Sequence, residues 1–394
     1  MIKIKELFVP FVIVLSGSLI PFVFSDSMDK WLLVTLFFLM LCVYRFSARA
    51  GRIDFVYYLA IIIFATMTCI SNLDLDSLGT YAGLAVRLSI GFFVCLILSP
   101  QQFFAVYARF FYLYAWVSLV FYISGAIFPD LIFSLPITHN DAGTGYRHIF
   151  IYFYQGVDSW NYRNAGLFWE GGAYASFLFF ALLISLHLRS TASKILVILM
   201  AILSTGSTIG IASSIVILIA SDRLGIKQKL YSILLFLCLI PMSFDIFVDI
   251  FISKFDENNI SYLDRSIGMI ADLILFMSSP FFGLGFSEYN SRFPNVANSL
   301  GAFSPTSTNS FTGMLAVFGF FYTILVFLPI LLFLSKQSMS GIQAVAVTLS
   351  VIMIYSSQGL VNFPLSYIFL FYGVRMLKAP VIVNYNLCQH MLRS

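Results

Sequence analysis

Residues 311–334 read FTGMLAVFGFFYTILVFLPILLFL, without one charged side chain. At about 1.5 Å of rise per residue such a helix is about 36 Å long, more than the roughly 30 Å hydrocarbon core of a bilayer. Working outward, the same test marks apolar spans at about 7–24, 31–48, 55–71, 79–98, 104–128, 171–188, 230–250, 342–357 and 364–378. The chain is 60% hydrophobic and 10% charged, with a mean hydropathy of +0.93. A soluble domain is about 45–50% apolar and about 25% charged, so a soluble fold of this length is excluded. The expected fold is all-α: a polytopic transmembrane bundle of about twelve segments, occupying 1–394 as a single domain.

One stretch departs from the simple pattern. Residues 195–220 are apolar but broken by Ser204-Thr205-Gly206-Ser207-Thr208, and basic residues flank both ends: Arg189 and Lys194 before, Arg223, Lys227 and Lys229 after. Basic flanks stay on the cytoplasmic side, so both ends belong there and the stretch reads as a hairpin with a buried turn. With the N-terminus inside and Leu7–Phe24 retained as a first helix, most of the 22 lysines and arginines fall on the inner side. Two long segments, 129–170 and 251–310, then face outward. The net charge of +4 belongs to these flanks and not to a nucleic-acid surface. Cys42, Cys69, Cys95 and Cys238 lie in apolar runs and Cys388 in a basic tail, so no disulfide framework is expected.

The polar residues worth weighing are few. The first outer segment ends in 162–172, YRNAGLFWEGG, which runs into a span. Arg163 and Glu170 are expensive beside a bilayer unless paired or used; they are either an ion pair at a helix start or part of a site. Arg265 precedes Ile267–Ser278, an apolar stretch too short to span that reads as an interfacial helix; it is either a headgroup anchor or a phosphate contact. Arg87 lies about 12 Å into its span, a functional group or the partner of a buried carboxylate. Arg147 and His148 sit among Tyr146, Tyr152, Phe153, Tyr154, Trp160, Tyr162 and Trp169, which fit either a sugar-stacking surface or an interfacial aromatic belt. His139 and His148 have no Cys or carboxylate cluster around them, so no metal is expected, and no nucleotide-binding loop or nucleophile elbow is present to call for a cofactor.

The run Arg163, Gly166, Phe168, Glu170 resembles the Arg-x-x-Gly-x-Phe-x-Glu-Pro signature of the Wzy-type O-antigen polymerases and the related O-antigen ligases. Ser204–Gly210 is similar to their hydroxyl-rich break. Arg265 followed by Ser279-Pro280-Phe281-Phe282-Gly283-Leu284-Gly285 resembles their Arg, then Pro-x-x-Gly-x-Gly. Thr308-Asn309-Ser310, with Gly319 beyond, sits where the family often has His-Asn. The likeness covers about 145–330. Gly171 replaces the signature proline, which frees the local backbone, and Thr308 stands where the ligases place a histidine, which favours polymerase over ligase.

The resemblance implies a GT-C-like fold in a bacterial inner membrane, with a periplasm-facing site that transfers a glycan from undecaprenyl diphosphate to a lipid-linked repeat unit. It implies Arg163, Arg265 and Arg147 around the diphosphate, Arg87 as a deeper contact, and Glu170 as general base or as the group that orients Arg163. His148, Tyr162, Trp169 and Asn309 are the expected substrate contacts. Membrane lipids, a chain-length regulator and a flippase are the implied partners, and no cofactor is needed because the donor carries its own leaving group. The alternatives are an O-antigen ligase that transfers polymer to lipid A core and a transporter or flippase for lipid-linked glycans.

Overall fold

Ser99-Pro100-Gln101-Gln102 starts the longest helix among the described residues for a local reason. The Ser99 hydroxyl accepts from the Gln102 amide, the Gln102 side chain accepts from the Ser99 amide, and Pro100 fills the first helical position, where no N–H is required. The computed structural model describes residues 8–24, 28–46, 52–139, 144–149, 151–155, 163–222, 225, 229, 260–302, 309–336 and 340–378.

The helices follow the apolar spans closely. In chain order they are α1 (Phe8–Gly17), α2 (Ile20–Phe24), α3 (Met28–Phe46), α4 (Arg52–Ser71), α5 (Leu78–Ile97), α6 (Pro100–Ile127) and α7 (Pro129–Phe133). After the first long connection come α8 (Gly171–His187), α9 (Ala192–Ser204) and α10 (Thr208–Ala220). Next are α11 (Ile260–Ser278), α12 (Gly285–Ser299), α13 (Ser310–Lys336), α14 (Gly341–Ser357), a 3-10 turn at Leu360–Asn362, and α15 (Pro364–Lys378). Among the described residues, Asp54–Ser71, Leu78–Ile97, Pro100–Ile127 and Ser310–Lys336 are each long and apolar enough to cross a membrane. Their outward faces carry Ile63, Met67, Trp116, Val120, Phe321 and Leu328, all well exposed. Large apolar side chains turned outward from several helices are what a lipid solvent permits and water does not, so the chain is a helical membrane protein.

α8 forms the centre. Every residue from Gly171 to Leu186 is buried, and α6, α9 and α10 pack around it. The stretch read as a hairpin is two helices, α9 and α10, joined by a turn that is buried at Thr205 and Ser207. The expected span at 230–250 lies outside the described residues.

Two details change the expected picture. The bundle is helical as expected, and the segment after α7 adds a small antiparallel sheet of β1 (Ile137–His139), β2 (Gly145–His148) and β3 (Phe153–Gln155), in that order. Ile137 pairs with Arg147 and His148 with Phe153. The β-branched and aromatic residues that read as an interfacial belt suit a pleated surface. The second detail corrects the reading of Arg265. Its helix begins at Ile260 and not after it, so Arg265 stands on α11 with Ile267, Ala271, Asp272 and Leu275 along the buried face.

α13 is opened at Gly319, which has φ 78° and ψ −177°. The loop at 280–284 repairs the break: Leu284 N donates to Ala316 O at 2.9 Å, and Phe320 N donates to Pro280 O at 2.8 Å. A Cβ on Gly283 would lie 2.3 Å from Val317 O, and one on Gly319 would lie 2.3 Å from Phe281 O. The Pro-x-x-Gly-x-Gly run therefore fits the chain to its own broken helix. Asp74, in the turn between α4 and α5, caps α12 by accepting from Phe286 N at 2.6 Å and Ser287 N at 3.1 Å. These contacts bring the turn at 72–77, the loop at 279–284 and the start of α12 together at one end of the bundle. At the other end Arg375 donates from Nε to Asp54 at 2.9 Å, and α5 is tied in by the bond from Arg375 Nη1 to Cys95 O.

Candidate functional site

Arg163 and Glu170 flank a turn that is held by the hairpin. Asn164 N donates to Ser204 O at 2.9 Å, and the Asn164 amide donates to Ser204 Oγ at 2.9 Å and Ser118 Oγ at 3.2 Å. Asn164, which sequence spacing did not single out, thus fastens the signature run to the hydroxyl-rich break. Gly171 begins α8 against that break; a Cβ there would lie 2.5 Å from Thr205 O. The missing proline therefore does not loosen the backbone, since close packing replaces the ring's constraint.

The three residues expected at the centre do come together, in a different pairing. Glu170 sits immediately before α8, but its side chain makes no capping bond. Its Oε2 faces Arg265 Nη2 at 3.9 Å instead. Arg163 donates from Nε to Thr205 O at 2.9 Å. Burial lowers the Arg163 pKa from its ordinary value, the Glu170 charge works against that shift, and the Arg265 charge adds to it. Two guanidinium groups thus share the field of one carboxylate, and the balance is positive. Among the described residues the Arg163 terminal nitrogens hold no hydrogen-bond partner, and the Arg265 contact is too long to be a hydrogen bond. Gln358 closes one side: its Nε2 and Glu170 Oε1 both lie within 3.5 Å of where a Cβ on Gly172 would be.

Other expected residues have different surroundings. Arg147 is on β2, where alternate side chains point to opposite faces. Tyr146 and His148 are buried, and Glu170 acts on Tyr146: burial pushes its phenol up to about 12, with the Glu170 charge pushing the same way. Arg147 is thereby turned to the other face, where Nη1 donates to Leu135 O at 3.0 Å and Phe133 O at 2.6 Å. His148 packs against Phe153, and burial lowers its pKa. Trp169 stacks on Phe363 at 5.0 Å and 12°. Tyr162 and Thr308 lie outside the described residues.

Beside the cluster is a cleft of about 370 Å³ whose polar lining is Tyr289, Asn290, Asn309, Ser310, Asn362 and Tyr367. Asn309 serves a structural end as well, since its Oδ1 caps α13 by accepting from Phe311 N and Thr312 N. Gly359 lines the cleft next to Gln358, and Ser310 Oγ donates to Gln358 O, so cleft and cluster share one turn. Arg87 stands on α5. Among the described residues no carboxylate lies within ion-pair distance of it, and its charge acts on Tyr367. Tyr367 Oη is buried without a hydrogen-bond partner. Among the described residues no group of His, Cys, Asp and Glu is placed to hold a metal ion.

The arrangement can bind an anion with fork-like donors and receive a polar, ring-bearing molecule next to it. No protein-family model matches the sequence, and no curated protein matches it significantly.

Proposed function

We propose that the protein is a glycosyltransferase that elongates a surface polysaccharide such as O-antigen, taking a growing glycan from undecaprenyl diphosphate and joining it to a lipid-linked repeat unit. The observation that carries the reading is the pair Arg163 and Arg265 around the single carboxylate Glu170, with donor nitrogens to spare. Guanidinium stabilises the charge that develops on a departing diphosphate as a metal would, and does so best where water is sparse. The motif order, with Thr308 in place of a histidine, favours a polymerase over a ligase. In this reading the chain makes about twelve passes of the inner membrane, its fold is GT-C-like, and the cluster faces the periplasm, where a chain-length regulator and a flippase would act with it.

Glu170 then holds Arg265 and Arg163 in register as the carboxylate they share. Arg147, turned to the far face of β2, drops out of the diphosphate site. Arg87 keeps its place as a deeper contact, beside the cleft. Deleting the gene and separating the surface polysaccharide by size tests the reading. Lipid A core bearing one repeat unit is the expected outcome. Bare core with stored lipid-linked polymer would instead indicate a ligase, and repeat units left on the inner leaflet would indicate a flippase.

A further inference from the structure

A second carboxylate stands near the arginine cluster. Asp272 is fully buried on α11, where its Oδ1 accepts from the Tyr289 hydroxyl at 2.7 Å and its Oδ2 accepts from the Thr312 hydroxyl at 2.7 Å. Tyr289 lines the cleft. Asp272 follows Arg265 by seven residues, so the two share one face of α11 about 10 Å apart along its axis. Burying a carboxylate is costly unless it is hydrogen-bonded, and hydroxyls from two other helices donate to this one.

We infer that the cleft seats the acceptor sugar and that Tyr289, backed by Asp272, accepts the proton of its attacking hydroxyl. This rests on the glycosyl-transfer reading and replaces the proton role first given to Glu170. The acceptor oxygen bonds to the anomeric carbon of the donor glycan as the bond from that carbon to the diphosphate oxygen breaks. The bonding pair leaves with the diphosphate, beside Arg163 and Arg265. The acceptor proton passes to Tyr289 Oη while the tyrosine's own proton passes to Asp272 Oδ1. Tyr289 is the catalytic residue and Asp272 its positioning residue. The side-chain amides of Asn290 and Asn362 and the ring of Phe286 offer the hydrogen bonds and apolar face that a sugar requires.

The test is steady-state extension of a lipid-linked repeat unit by the purified full-length protein in lipid vesicles, comparing wild type with Asp272→Asn and Tyr289→Phe. Asparagine can still accept from Tyr289, and phenylalanine keeps the ring. For each variant kcat is expected to fall by about 100-fold or more, with KM for the acceptor within about two-fold. Wild-type kcat in either variant overturns the proton role, as does a raised KM at unchanged kcat, which would make the pair a binding element only. If Asp272→Asn is absent from the membrane, Tyr289→Phe decides alone. A wild-type protein that transfers no sugar sinks the glycosyl-transfer reading together with this one, whereas an active wild type with active variants sinks this one only.

Discussion

Arg265 on α11 faces Glu170, the residue just before α8, at 3.9 Å, so the carboxylate that sequence spacing assigns to Arg163 serves two arginines from separate segments. The Arg265 and Glu170 side chains are 38% and 21% exposed, and the contact is longer than a hydrogen bond. Such a pair contributes under about 1 kcal/mol to stability. Glu170→Gln is therefore expected to leave the amount and thermal stability of the protein in the membrane unchanged while stopping chain extension. Long polymer from this variant would show that the arginines need no carboxylate to hold them.

Lysine substitutions separate charge from geometry. Arg163→Lys and Arg265→Lys keep the charge but lose the planar fork, and each is expected to reduce chain extension nearly as far as the alanine variant does. Arg163→Lys also loses the Nε bond to Thr205 O. The ratio of lysine to alanine activity, at matched protein level, is the quantity to measure; a lysine variant near wild type would rule out fork-like contact.

The seam between the 280–284 loop and the break in α13 has no room for a side chain. Gly283 and Gly319 both have positive φ, and a Cβ on either would meet backbone oxygen at 2.3 Å. Left-handed backbone costs a non-glycine residue about 1–3 kcal/mol before any clash is counted. Gly283→Ala and Gly319→Ala are thus expected to be strongly destabilising, visible as lost protein in the membrane or a Tm lowered by several degrees in detergent.

At the opposite end, Arg375 and the nearly buried Asp54 form an ion pair at 2.9 Å. Removing one partner of a buried pair costs about 3–5 kcal/mol because a charge is stranded, whereas replacing both with apolar groups is often close to neutral. Asp54→Leu is expected to destabilise far more than the double variant Asp54→Leu/Arg375→Leu, measured by thermal unfolding in detergent.

Asp74 supplies a pH signature. Burial alone would raise its pKa, but hydrogen bonds from Ser77, Ser287, Phe286 and Tyr81 outweigh that and hold it below the ordinary value. A carboxylate with a depressed folded-state pKa binds fewer protons than it does in the unfolded chain. Its contribution is complete above the ordinary carboxylate range and is lost as pH falls through the depressed value. Wild type and Asp74→Asn should therefore differ in Tm by a constant amount from pH 7 to pH 5, with the gap closing as the pH drops below about 4.

The bundle was legible because lipid imposes one rule, a long uncharged helix, that 311–334 and its neighbours satisfy by composition alone. The break at 204–208 within the apolar stretch 195–220 was legible too, since serine, threonine and glycine interrupt it there. The sheet at 137–155 was not legible, because aromatic residues at a membrane surface and aromatic residues on a short strand look alike in sequence. That one miss misplaced Arg147, whose direction depends on strand alternation.

Part of the site was legible for a similar reason. Arg163, Glu170 and Arg265 stand out as charges in an apolar chain, but their pairing depends on how α11 lies against α8, which spacing does not encode. Asp272 gave no signal, since one acidic residue in MIADLILFMS reads as the polar edge of an interfacial helix. The partners that give it meaning, Tyr289 and Thr312, lie on two other helices.

The most direct measurement uses the purified protein in lipid vesicles with a synthetic undecaprenyl-diphosphate-linked repeat unit, no nucleotide sugar, and the release of free undecaprenyl diphosphate as readout. Release in step with the appearance of lipid-linked dimers and longer chains is expected, and Arg163→Ala and Arg265→Ala should each abolish both. Intact donor after prolonged incubation with folded wild-type protein, or chain extension that survives the loss of both arginines, would contradict it.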